Sequence, residues 1–251
     1  MIFKELNING YYHLFEIDKN NLKEAASGLN VLGIRGVNVT IPYKVKIIKH
    51  LHNLSNEAVK IGAVNTIAFD NDKMIGYNTD YSGFGMLLNK NNISINNETI
   101  FILGTGGASR AVSEYLVDNN AKDIIVVSRD IDIGKQKYPD FNVIQYSDLN
   151  NIKVSGIVIN CTPVGMYPQI EFSPIGKHNT VKFHTVVDLI YNPSETKLLK
   201  DAKEEGLKVI NGLYMLVGQA VKAQEIWNNI NISDTITEGV YKKVKKAYNW
   251  R

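Results

Sequence analysis

The strongest constraint on this chain lies near its middle. The run Thr99-Ile100-Phe101-Ile102-Leu103 passes directly into Gly104-Thr105-Gly106-Gly107-Ala108-Ser109 and then into a helical pattern over 109–119. Strand, glycine-rich turn and helix in that order let the backbone approach a bound anion at a helix N-terminus, where unpaired N–H groups and the helix dipole favour negative charge. A glycine cluster can also be no more than a tight turn, so the next strand matters. Ile124-Ile125-Val126-Val127-Ser128 ends in Arg129-Asp130, at the spacing where a dinucleotide-binding fold reads the adenosine ribose.

Similar apolar runs alternate with helical stretches along the rest of the chain. Strands are expected at 11–16, 36–39, 63–69, 99–103, 124–128, 156–160, 186–188 and 208–210. Helices are expected at 19–32, 43–50, 81–90, 109–119, 195–205 and 212–228, with the first residues, Met1 to Leu6, helical as well. Such alternation predicts an α/β fold with parallel strands, because parallel pairing needs crossover helices. The 251 residues suffice for two modest domains, and the polar stretch 89–98 is the natural junction.

Charge excludes some partners. The excess of 28 basic over 25 acidic residues is only +3, and outside Lys242-Lys243-Val244-Lys245-Lys246 the basic residues are scattered, so no nucleic-acid partner is expected. That run suits the solvated face of a terminal helix. Cys161 is the sole cysteine, which excludes an intrachain disulfide and a cysteine-rich metal site and fits a reducing cytoplasm. No apolar run reaches the roughly 18 residues of a membrane span.

Several polar residues interrupt apolar surroundings. Pro42 suits the first position of a helix, placing Lys44 in its first turn, where the dipole opposes a cation and lowers its pKa toward the range useful for proton transfer. Asp80 either caps the following helix or joins Thr40, Lys44 and Asn65 in holding a polyhydroxylated small molecule. Gln219 falls on a helix apolar nearly all round. At the nucleotide end, Arg129 can pair with a 2′-phosphate, with Lys135 one turn further on, whereas Asp130 would repel a phosphate unless it caps a helix. This favours NADP over NAD.

Seven segments in order resemble the shikimate dehydrogenases: Gly36-Val37-Asn38-Val39-Thr40-Ile41-Pro42-Tyr43-Lys44, Gly62-Ala63-Val64-Asn65-Thr66, Gly76-Tyr77-Asn78-Thr79-Asp80, the glycine turn, Asn160-Cys161-Thr162-Pro163-Val164-Gly165-Met166, Asp188-Leu189-Ile190-Tyr191-Asn192-Pro193, and the Gln219 helix. The resemblance implies a two-domain NADP-dependent enzyme interconverting 3-dehydroshikimate and shikimate in aromatic amino-acid biosynthesis. Residues 1–79 and 212–251 would form the substrate domain and 80–211 a Rossmann-type domain. It implies Lys44 and Asp80 as catalytic residues, with Thr40, Asn65, Tyr191 and Gln219 on the substrate. Gly104, Thr105, Gly106, Gly107 and Ala108 would meet the pyrophosphate, Ser128, Arg129 and Asp130 the adenosine end, and Leu189 and Gly212 the nicotinamide side. A monomer or homodimer is expected.

Alternatives are a quinate/shikimate dehydrogenase preferring NAD, or a nucleotide-binding pseudoenzyme. The latter follows from the family's strand and Ser-x-Ser loop, which precede the helix that here begins at Met1. Without them the chain is expected to bind NADP and turn over shikimate poorly.

Overall fold

A computed structural model of the chain describes residues 1–40, 42–70 and 73–248; Ile41, inside the 36–44 motif, lies outside the described residues. In chain order the first elements are α1 (Ile2–Glu5), α2 (Leu22–Val31), β1 (Gly36–Asn38), β2 (Asn53–Leu54), α3 (Asn56–Ile61), β3 (Thr66–Asp70), β4 (Lys73–Tyr77) and α4 (Thr79–Lys90). Next come β5 (Thr99–Leu103), α5 (Gly107–Asp118), β6 (Asp123–Ser128), α6 (Ile131–Lys137), β7 (Asn142–Gln145), β8 (Ile157–Asn160) and α7 (Lys177–Thr180). The last are β9 (Thr185–Asp188), α8 (Lys197–Glu204), β10 (Lys208–Asn211), α9 (Leu213–Asn228) and α10 (Asp234–Tyr248). The α/β class expected from the alternation is realised as two sheets.

The chain divides into two compact units, Met1–Gly83 with Val217–Val244, and Phe84–Leu216 with Lys245–Arg251. The division falls inside α4, and the polar stretch 89–98 belongs wholly to the second unit.

In the second unit six parallel strands take the order β10-β9-β8-β5-β6-β7. Counted within the unit and read from the β7 edge, this is the order 3-2-1-4-5-6 of dinucleotide-binding sheets. The central strands are apolar without alternation because a parallel sheet is covered on both faces; Ile100, Phe101, Ile102 and Leu103 are all buried. One cluster joins Phe101 and Leu103 to Val158, Phe183, Val186 and Leu198, with the Phe101 and Phe183 rings 5.2 Å apart, edge to face.

The first unit has a mixed sheet, β1-β3-β4-β2, in which β3 pairs antiparallel with both β1 and β4. Its core gathers Leu22, Ala26, Ile47, Ala58, Val64, Ile67 and Met74. A second cluster packs α1 through Ile2 and Leu6 against Val217, Val221 and Val240.

Two expectations are corrected in this unit. Segment 11–16 forms no strand. It lines a pocket of about 800 Å³ together with residues 34–40, so it stands off from the β1 edge instead of pairing with it, and Tyr11 and Leu14 are exposed. Segment 43–50 is a turn followed by a 3-10 helix at Lys46–His50. The Lys44 carbonyl accepts the Val64 N–H at 2.8 Å, and the Ile48 N–H turns to the Val45 carbonyl, which tightens the coil.

Phe101→Ala removes a fully buried ring from the centre of the parallel sheet. It is expected to cost about 3–5 kcal/mol, read as a lower urea midpoint with an unchanged slope. A loss below about 1 kcal/mol would contradict this packing.

Candidate active site

Two side chains far apart in sequence meet in the first unit. Lys44 Nζ lies 2.6 Å from Asp80 Oδ2. Lys44 sits in the turn ahead of the 3-10 helix and not in the first turn of an α-helix, so no helix N-terminus opposes its charge. Nor is Asp80 the helix cap. Asn78 takes that role, its Oδ1 accepting the Asp80 N–H at 3.1 Å while its Nδ2 donates to the Ala63 carbonyl at 2.9 Å. The carboxylate is thereby left for the lysine, and it is almost wholly removed from water, with only 6% of its side-chain surface exposed.

Asn65 is the hub beside this pair. Its Oδ1 accepts the Thr79 N–H at 2.7 Å and the hydroxyls of Thr66 and Thr79 at 3.1 and 3.2 Å, which ties the start of β3 to the start of α4. Asn38 Nδ2 donates to Thr66 Oγ1 at 3.0 Å, and Tyr12 donates to Asn38 Oδ1 at 2.9 Å. Thr40 is exposed and lines the 800 Å³ pocket with Asn38 and Tyr43. Gln219 is half-buried in α9. Asn38, Thr66, Asn78 and Thr79 received no role from the sequence, although all four stand in the quoted motifs.

The residues expected to bind the nucleotide all lie in the second unit. Gly104, Thr105, Gly106, Ser128, Arg129 and Asp130 line one pocket of about 830 Å³. It opens where β5 and β8 diverge, the switch point at which such sheets bind ligands. Gly104 has φ +96°, a left-handed conformation that other residues rarely adopt. No atom lies within 4 Å of where a side chain on Gly106 or Gly107 would begin, and no side chain caps the N-terminus of α5. This open, donor-rich turn fits a pyrophosphate. Asp130 caps α6, its Oδ1 accepting the Ile133 N–H at 2.9 Å.

Elsewhere in this unit, Leu189 and Gly212 meet backbone to backbone: a side chain at 212 would begin 1.9 Å from the Leu189 carbonyl oxygen. Tyr191 is half-buried, edge to face with Tyr248 at 5.6 Å, and burial raises its hydroxyl pKa. Between these residues lies a buried network that the sequence did not reveal. The fully buried Asp188 accepts hydrogen bonds from Asn160 Nδ2 at 3.0 Å, the Ile190 N–H at 3.0 Å and the Thr196 hydroxyl at 2.7 Å.

A glycine turn at the switch point of a parallel sheet with this strand order defines a dinucleotide-binding unit of the Rossmann class. Comparison with known proteins is more specific. The family model described as the shikimate dehydrogenase substrate binding domain matches residues 1–67. A Clostridium perfringens protein, shikimate dehydrogenase (NADP(+)), is 46% identical over 246 residues, 97% of this chain and 91% of that one. The crystal structure of a chorismate mutase/shikimate 5-dehydrogenase fusion protein from Clostridium acetobutylicum superposes with a TM-score of 0.96 at 47% identity, covering 99% of this chain and 91% of that one. A shikimate dehydrogenase solved in complex with NADP+ gives a TM-score of 0.85 at 36% identity, covering 96% and 88%. The chain belongs to the shikimate dehydrogenase family, whose curated relatives are NADP-dependent oxidoreductases.

The Asp188 network makes stability depend on pH. Burial outweighs the three donors and raises the carboxyl pKa from 3.8 to about 6, which corresponds to about 3 kcal/mol at 1.36 kcal/mol per unit. Between these values the folded state holds a proton that the unfolded state has lost, so this contribution falls as pH rises from about 4 to about 6. The stability difference between the wild type and Asp188→Asn, from urea titrations, is expected to shift across that window in favour of the variant. A difference constant with pH would contradict it.

Proposed function

We propose that this chain catalyses the reversible, NADPH-dependent reduction of 3-dehydroshikimate to shikimate, a step of aromatic amino-acid biosynthesis. The observation that carries this reading is the Lys44–Asp80 pair, at 2.6 Å, beside the amide and hydroxyl groups of Asn65, Thr66 and Thr79. When NADPH is bound it supplies the hydride. Reduction of a ketone leaves negative charge on its oxygen, which needs a proton and a cation at hand. Lys44 provides both, and Asp80 orients its ammonium group. Thr40, Asn65, Tyr191 and Gln219 contact the substrate. Both oxygens of Asp80 accept only, which suits the hydroxyl groups of a polyol and not an apolar ring.

In the same reading, residues 1–79 and 212–251 take the substrate and 80–211 take the cofactor. The turn residues Gly104, Thr105, Gly106, Gly107 and Ala108 bind the pyrophosphate through backbone N–H groups. Ser128, Arg129 and Asp130 face the adenosine end, and Leu189 and Gly212 border the nicotinamide. The enzyme works as a monomer or homodimer in the cytoplasm, without nucleic-acid or membrane partners. Among the described residues no helix is long and apolar enough to cross a membrane.

Lys44→Ala is expected to lower kcat for NADPH-dependent reduction of 3-dehydroshikimate by about 10²- to 10⁴-fold, the usual worth of a positioned acid or base. NADPH affinity, followed by fluorescence titration, should stay within about twofold, since the glycine turn is untouched. Asp80→Asn should lower kcat in the same direction. If Lys44→Ala kept the wild-type kcat, or lost NADPH binding and activity together, the assignment would fail.

A further inference from the structure

The cofactor pocket contains a cation that the sequence pattern around Arg129 does not single out. Lys135 was the expected partner of Arg129, yet Lys137 lines the pocket and Lys135 does not. Helix geometry gives the reason. Asp130 is the N-cap of α6 and Ile133 its third residue, and Lys137 follows Ile133 by four residues, so both lie on one face. Lys135, two residues from each, is turned about 200° away.

We propose that Lys137, together with Arg129, holds the 2′-phosphate of NADP and so sets the preference for NADP over NAD. This rests on the reading that the second unit binds that cofactor and goes beyond it by naming the discriminating residue. Three observations support it. First, Lys137 Nζ lies 3.4 Å from the Thr105 carbonyl, which keeps the ammonium group at the glycine turn with only a weak tie to break. Second, among the described residues Asp130 is the only acidic one lining the pocket, and its carboxylate is drawn onto the Ile133 N–H. Ser128 Oγ donates to the Asp130 carbonyl and holds that bend. The group that would repel a phosphate is thus occupied as a helix cap.

Third, the charges match. A phosphate monoester carries about −1.5 to −2 near neutral pH. Arg129 supplies a planar fork for its oxygens and Lys137 a mobile point charge, together +2. The pyrophosphate has its own donors at the turn and the start of α5. Lys137 belongs instead to the helix that follows β6, and the end of β6 marks the ribose side of such folds.

The test is calorimetric titration of Lys137→Ala and Lys135→Ala with 2′,5′-ADP, which carries the 2′-phosphate, and with 5′-AMP, which does not. Lys137→Ala is expected to weaken 2′,5′-ADP about tenfold, the low end for a charge-assisted hydrogen bond at an exposed site, and to leave 5′-AMP within about twofold. Lys135→Ala should change neither, and Lys137→Arg should retain most of the discrimination. Equal weakening of both ligands by Lys137→Ala would assign the lysine to the 5′-phosphate side and overturn the proposal, as would no change in either. Unaltered 5′-AMP binding reports an intact fold. Neither ligand requires turnover, so these results stand apart from whether the chain reduces 3-dehydroshikimate.

Discussion

The ion pair between Lys44 and Asp80 is the interaction around which the first unit is organised. Asp80 has 6% of its side chain exposed and Lys44 20%. A carboxylate this far from water is costly unless paired, and removing one partner of such a pair costs about 3–5 kcal/mol when both are buried. The surroundings therefore keep both groups in place. Lys44 is anchored through its carbonyl to the Val64 N–H. Asp80 is anchored by the Asn78 cap at its own N–H. Between them Asn65 bonds Thr66 and Thr79, so the turn after β1, the start of β3 and the start of α4 converge on one polar cluster. The cluster holds a cation beside hydrogen-bonding groups, which is what reduction of a hydroxylated ketone requires.

The second unit solves a different problem, that of receiving an anion without burying a fixed countercharge. In the proposed reading, backbone N–H groups at the turn after β5 do most of this, and Gly104, at φ +96°, and the open space over Gly106 and Gly107 matter more than any side chain there. Arg129 and Lys137 stand in the same pocket, and the proposal places them at the ribose end. Burial is handled oppositely at Asp188. There three donors surround a carboxylate whose pKa rises to about 6, so the group holds the ends of β8 and β9 together at a cost that grows as it ionises.

The parallel sheet could be read from the sequence because its strands are buried on both faces. Runs such as 99–103 and 124–128 carry β-branched and aromatic residues without a break, and the strands found there are β5 (Thr99–Leu103) and β6 (Asp123–Ser128). Where structure depends on partners distant in the chain, local pattern was insufficient. Segment 11–16 has strand-like residues but stands off from the β1 edge, across the pocket that it lines with residues 34–40. The coil at 43–50 follows from a hydrogen bond to Val64. Helix α3 was missed although Ser55 caps it through the Ala58 N–H, because its six residues are too few to show a helical period. The site was legible as a set of residue types and not as an arrangement. Lys44 and Asp80, 36 residues apart, meet only through the sheet, and the face on which Lys137 lies depends on where α6 begins.

The central claim is that a hydride moves from NADPH to the ketone carbon of 3-dehydroshikimate on this chain. Incubating the protein with 3-dehydroshikimate and NADPH deuterated at the transferable nicotinamide position, followed by mass spectrometry of the product, tests it most directly. The expected result is shikimate carrying one deuterium at its third carbon, formed in step with loss of NADPH absorbance. NADPH that stays unoxidised in the presence of 3-dehydroshikimate, or a product without the label, would contradict it.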